Sequence, residues 1–228
     1  MKRLLPLFCI LSYLLPFQVM AQKKAFKQQL YLGGGGGIIF SNIDFVPTIV
    51  QDMHMGLSGG VSFKYITEKH LGLLAEINFT QRGWKEKFED EQKQNYAFSR
   101  ALNYAELPIM THVYFGNKVR FIFNAGPQIS FLLGYSDKMN DALKSDIDEQ
   151  KLSSQAQEQY KKPNKLFDYG LIGGMGIAFQ TGKGEINVEG RYYFGLGDIF
   201  DSRISTKSYF SRSASHYIGA KITYFIRL

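Results

Sequence analysis

Cysteine is nearly absent from the 228 residues: only Cys9 is present, inside the N-terminal apolar segment. Past that segment there is no thiol, so neither a disulfide framework nor a thiolate metal site is expected. Long hydrophobic runs are also missing. Beyond the first residues no apolar stretch reaches the roughly 18 residues of a spanning helix, and mean hydropathy is only -0.18. The glycine run Gly33 to Gly37 lacks the Lys-Ser/Thr of a phosphate loop and opens no helix, which argues against nucleotide binding. The four histidines, His54, His70, His112 and His216, are scattered without metal-ligand spacing. No strained elbow or triad spacing accompanies Ser41 or Ser215. The acidic stretch from Asp137 to Glu149 lacks the glycine and alternation of a calcium loop. No catalytic, cofactor or metal site is expected, and no enzyme.

The N-terminus has the layout of a secretory signal over residues 1–21. Lys2-Arg3 supplies the charge, Leu4 to Phe17 the apolar core, and Val19-Met20-Ala21 a small-residue cleavage site. One domain over 22–228 would remain, beginning at Gln22. Formal net charge is +7, and losing Lys2 and Arg3 leaves +5. A basic exported chain of this kind suits anionic lipid headgroups better than nucleic acid.

Aromatic residues and glycine are abundant: 14 Tyr, 19 Phe and 23 Gly. Their arrangement is clearest from Asn103 to Tyr135, where two alternating runs flank a turn at Gly116-Asn117-Lys118, the pattern of a β-hairpin. In the second run Val119, Phe121, Phe123, Ala125, Pro127, Ile129, Phe131, Leu133 and Tyr135 share one face. The opposite face holds Arg120, Asn124, Gly126, Gln128, Ser130 and Gly134, with Ile122 and Leu132 as exceptions. An eight-stranded barrel has an interior that side chains only just fill. The aromatic row is too bulky for it and the small polar row fits. The aromatic face is therefore expected to meet lipid, as in an outer-membrane barrel. Such a sheet must close, because lipid cannot satisfy an open edge.

The same alternation predicts strands over 28–40, 55–65, 71–82, the hairpin pair, 169–179, 186–196 and the C-terminal run from Ile218. Phe63, Phe79, Phe121, Phe123, Phe131 and Tyr192 are expected on the lipid face. Long connections (42–54, 83–99, 136–165, 197–213) alternate with short turns, as expected for external loops and periplasmic turns. The fold class expected is all-β, an eight-stranded antiparallel up-and-down transmembrane barrel.

Charged residues recur on the inward face: Lys64, Glu76, Arg82, Glu106, Arg120, Glu189, Arg191 and Lys221. Buried charge must be paired, so these are expected to form a structural network that fills the lumen, leaving no pore. Paired carboxylates could instead serve a glycosidase, but no spacing singles out such a pair. Pro108, inward beside Glu106, removes a ladder donor and predicts an irregularity in its strand. The 136–165 connection is rich in helix formers, with Met139, Leu143 and Ile147 four apart. It is expected to form either a short external helix, capping the barrel or docking a partner, or a solvated loop.

Four segments carry a family resemblance: Glu76-Ile77-Asn78-Phe79-Thr80-Gln81-Arg82-Gly83, Tyr104-Ala105-Glu106-Leu107-Pro108, Ala125-Gly126-Pro127, and Arg191 to Ile199. In this order and spacing they resemble the PorT-like family of outer-membrane β-barrel proteins of Gram-negative bacteria. Ile39 stands where that family often has Asn. The resemblance implies an eight-stranded outer-membrane barrel, and some family members are tied to protein secretion across the envelope. The expected function is that of a monomeric envelope scaffold or interaction protein acting through external loops. Its expected partners are lipopolysaccharide and an envelope or secretion protein met through 136–165. A secretion-machine component and a lipid A-modifying enzyme are the alternatives.

Overall fold

The computed structural model describes residues 26–88, 95–149, 151–152, 159–201 and 210–228. The expected signal and its cleavage site lie outside these. Eight strands follow in order: β1 (Gln29–Val46), β2 (Gln51–Glu68), β3 (Leu71–Glu86), β4 (Phe98–Gly116), β5 (Val119–Met139), β6 (Phe167–Thr181), β7 (Gly184–Asp198) and β8 (Arg212–Arg227). Helix α1 (Asp141–Asp148) follows β5. Each strand pairs antiparallel with the next, and β1 pairs with β8, so the sheet is a closed barrel with no edge left in lipid.

Through the middle of the barrel, side chains alternate as the sequence predicts. Phe63, Phe79, Phe121, Phe123, Phe131 and Tyr192 all stand exposed on the outer wall, while Ser62, Asn78, Thr80, Asn124 and Ser130 are buried inside. On β1 the apolar outer face runs from Leu30 to Phe40. At ~3.3 Å per residue and a tilt near 40°, that run covers about 25 Å of membrane normal, the height of an outer-membrane apolar band. The inner face of β1 is glycine for a steric reason. A Cβ on Gly35 would overlap the Ile222 carbonyl oxygen and meet the Thr223 hydroxyl at 2.6 Å, whereas on outward-facing Gly34 its nearest neighbour would be 3.9 Å away.

At one end of the barrel the pattern inverts. Ile43, Phe45, Trp84, Phe98 and Leu102 are buried inside, while Asp44, Lys85, Ser99 and Lys138 are on the outside. This is the pattern of a barrel in water, apolar within and polar without. It corrects the expected strand ends. Residues 42–54 are not a loop: β1 runs to Val46 along β8, and β2 starts at Gln51 along β3, leaving only 47–50 between them. Likewise Gly83 to Glu86, Phe98 to Leu102 and Ser136 to Met139 belong to strands. These stretches resemble loops in sequence because the outer wall there no longer meets lipid. The expected strict alternation of long and short connections therefore fails at the first outer one.

Two further irregularities have local causes. Tyr104 pairs with Leu132 and Asn103 with Gly134, so Leu133 is an extra residue, a β-bulge. The bulge shifts the phase of β5, turning Tyr135 from the expected lipid face to a half-buried place at the inner core. The β3–β4 ladder skips the pairs opposite Leu107 and Pro108, and the β4–β5 ladder skips those opposite Gly126 and Pro127. Each gap contains a proline, which has no N–H to donate.

The two-residue turns after β2, β4 and β6 lie at the end that also holds the start of β1 and the end of β8. The longer connections, from β3 to β4, β5 to β6 and β7 to β8, leave from the other end, the one where external loops are expected.

Candidate functional site

The barrel's chemistry is concentrated in its lumen and in the cap above it. Nearest the short turns, the Lys64 ammonium donates to Glu185 and lies 4.1 Å from the Phe225 ring centre. Arg120, at the rim, is 3.6 Å from the same carboxylate. One level up, Glu76 accepts from Arg191 at 2.6 and 2.9 Å, Lys221 at 2.8 Å, Ser62 at 3.0 Å and Asn78 at 2.8 Å. Arg191 also donates to Glu189 at 2.8 Å, and Glu189 accepts from Asn124, which bonds His112.

Above this, Arg82 is fully buried. It donates to Glu106, to Asp168 at 2.7 Å and to Ser130 at 3.0 Å. Its guanidinium lies over the rings of Tyr193 at 4.2 Å and Tyr104 at 4.6 Å. Topmost is Arg100, also fully buried, which grips Asp137 at 2.6 and 2.7 Å. Arg100 also donates to the backbone oxygens of Lys161 (2.7 Å) and Tyr160 (3.2 Å), tying the β5–β6 connection into the mouth.

All eight charged residues expected inside are brought together, Arg120 being the most exposed of them. The network also includes Arg100, Asp137, Asp168 and Glu185. Each of these lies just beyond an expected strand end. Extending the period-2 alternation by one or two residues would have placed Asp168 and Glu185. Arg100 and Asp137 lie beyond the pattern inversion and the bulge, where that signal breaks. With them the lumen holds Lys64, Arg82, Arg100, Arg120, Arg191 and Lys221 against Glu76, Glu106, Asp137, Asp168, Glu185 and Glu189. Among these described residues cations and carboxylates match one for one.

Over it sits an apolar cap of Ile43, Phe45, Trp84, Phe98, Leu102, Phe200 and Phe210. Phe45 meets Trp84 edge-on at 5.2 Å, and Tyr160 meets Phe98 edge-on at 5.0 Å. The Tyr160 hydroxyl donates to Glu86, and burial together with that carboxylate raises its pKa, keeping it a donor. Helix α1 closes the cap. Asn140 caps its N-terminus by accepting from the Leu143 N–H. Leu143 is fully buried, with Met139 and Ile147 packed beside it. The apolar stripe of the connection is thus directed at its own barrel. Among the described residues no group of three or more His, Cys, Asp or Glu side chains is placed to hold a metal ion.

A closed eight-stranded barrel with an apolar outer band and a polar, filled lumen is an outer-membrane barrel protein. Residues 20–201 match the family described as outer membrane protein beta-barrel domain, and the chain belongs to that family and to the outer membrane. No curated protein matches the chain. Similar solved structures include the Neisserial surface protein A (13% identity, 87% of this chain and 99% of that one, TM-score 0.43). Others are OprG of Pseudomonas aeruginosa (11%, 87% and 93%, TM-score 0.47) and the attachment invasion locus protein Ail of Yersinia pestis with a heparin analogue (10%, 88% and 100%, TM-score 0.40).

Proposed function

We propose that this protein is a non-conducting, non-enzymatic outer-membrane barrel that acts as an interaction scaffold through its extracellular rim. The observation that carries this reading is the lumen, filled by mutually paired charges and roofed by an aromatic cap. Among the described residues, that pairing and that roof argue against a path or a binding space through the lumen and direct attention to the outer surface. There the strands rise above the apolar band and display a cross-strand row of Asp52, Lys85, Ser99 and Lys138. Lysines on a wall in water suit an acidic protein partner. The stripe of α1 is used in the cap, so this wall supports docking better than the helix does.

The PorT-like segments favour a more specific version, a component beside a secretion or transport machine. Lysine-directed crosslinking on intact cells, followed by identification of the captured chains, tests both. Capture of an envelope protein that is lost in Lys85→Ala/Lys138→Ala supports the scaffold, and a secretion component among the captured chains supports the narrower reading. Stable conductance steps in planar bilayers, or altered lipid A in cells lacking the protein, would overturn it in favour of a pore or an enzyme.

A further inference from the structure

The β1–β2 ladder stops at Ser41↔His54, and beyond it each strand keeps only its other neighbour. The Gln51 amide fills the gap, accepting from the Ile43 N–H at 3.1 Å and donating to the Ile43 carbonyl. Beside this parting a groove of about 540 Å³ crosses the outer wall from β7 over β8 and β1 to the start of β2. It lies where the apolar band ends, at the extracellular side.

Its lining is divided along the membrane normal. Phe40, Ile218 and Tyr192 form a cross-strand row on the lipid-facing wall, and Phe194 stands outward in the next row up, beside His216. Asn42, Asp44 and His216 form the upper part. His216 pairs with Asn42 across the ladder and rests its ring on Phe194 at 4.9 Å. Its Nδ1 is buried and has no hydrogen-bond partner among the described residues. Arg212, two pleat periods beyond His216 on β8, holds Asp44 at 2.8 Å. Buried polar atoms are ordinarily hydrogen-bonded, so the polar end is suited to a ligand with its own donors and acceptors. Carboxylate, amide and imidazole beside aromatic rings suit sugar hydroxyls and ring faces, and the aromatic lower wall suits acyl chains.

We propose that this groove seats one glycolipid of the outer leaflet, with its sugar headgroup on Asn42, Asp44 and His216 and an acyl chain along Phe40, Phe194 and Ile218. The position favours this occupant: the polar–apolar boundary of the groove coincides with that of the leaflet in which it lies. A phospholipid would fill the lower part and leave the upper hydrogen bonds unmade. The inference rests on the outer-membrane setting and not on the scaffold role, so either can fail alone.

The test is native mass spectrometry of the folded protein released from detergent containing equal amounts of lipid A, phosphatidylethanolamine and phosphatidylglycerol. The wild type is expected to retain one lipid A in preference to either phospholipid. Losing one such hydrogen bond is worth about tenfold in affinity, so Asn42→Ala and His216→Ala should each lower lipid A retention by about that factor. Tyr224→Ala, outward at the opposite end, should leave it unchanged. Equal retention of the three lipids by the wild type, a measurement needing no variant, would overturn the proposal. So would unchanged lipid A retention by both rim variants, each shown to be folded by heat-modifiable mobility.

Discussion

The Arg82 cluster makes a quantitative demand on the lumen. Arg82 stands between two carboxylates, Glu106 and Asp168, and each keeps lesser partners of its own: Thr80 and Tyr217 for Glu106, Tyr193 for Asp168. Replacing Arg82 with Met preserves much of the volume but leaves two buried carboxylates facing each other. Breaking a buried pair by removing one member costs about 3–5 kcal/mol, a large part of the roughly 5–15 kcal/mol that holds a typical domain folded. Replacing Glu106 with Gln is milder, because Arg82 keeps Asp168 and the local charges then match. A cost of about 1–3 kcal/mol is expected there, that of imperfect hydrogen bonding. The triple change Arg82→Met/Glu106→Gln/Asp168→Asn removes every charge in the cluster and should lose less than Arg82→Met alone. Urea unfolding in lipid vesicles measures all three, with heat-modifiable mobility reporting the barrel and the single tryptophan, Trp84, reporting the cap. If Glu106→Gln costs as much as Arg82→Met, or the triple change is simply additive, the cluster is not the coupled unit described.

The walls and cap can be tested in the same way. Phe123→Arg puts a charge on the lipid face and should cost about 2–4 kcal/mol in the same vesicle assay, whereas Ser130→Phe, on the inner face against Arg82, should overpack the lumen by about 1–3 kcal/mol. Gly35→Ala should fail to yield the heat-modifiable form while Gly34→Ala folds normally on the same gel, since only the inner glycine faces a neighbouring backbone. Exchanging residues 140–164 for a short Gly/Ser turn spares β5 and the Arg100–Asp137 pair. It should leave a folded barrel with red-shifted Trp84 emission, and loss of folding would show that α1 is required for closure.

The sequence determined the barrel within the membrane. There the environment changes from lipid to lumen at every residue, so composition alternates with the strand period, as from Leu71 to Arg82 and from Val119 to Leu132. It also determined which charges point inward wherever that alternation holds, Glu76, Arg82, Glu189 and Lys221 among them. The tertiary structure alone decided what happens above the membrane. There β1 to β5 continue with the opposite polarity, because water is outside and the aromatic cap inside, and a one-residue bulge at Leu133 moves Tyr135, Asp137 and Met139 inward. Partners more than eighty residues apart, such as Arg82 with Asp168 and Lys64 with Glu185, were likewise set by closure. Local alternation specifies the face on which a side chain lies; which charge it meets across the lumen depends on strand register and barrel tilt, quantities fixed only when β8 returns to β1.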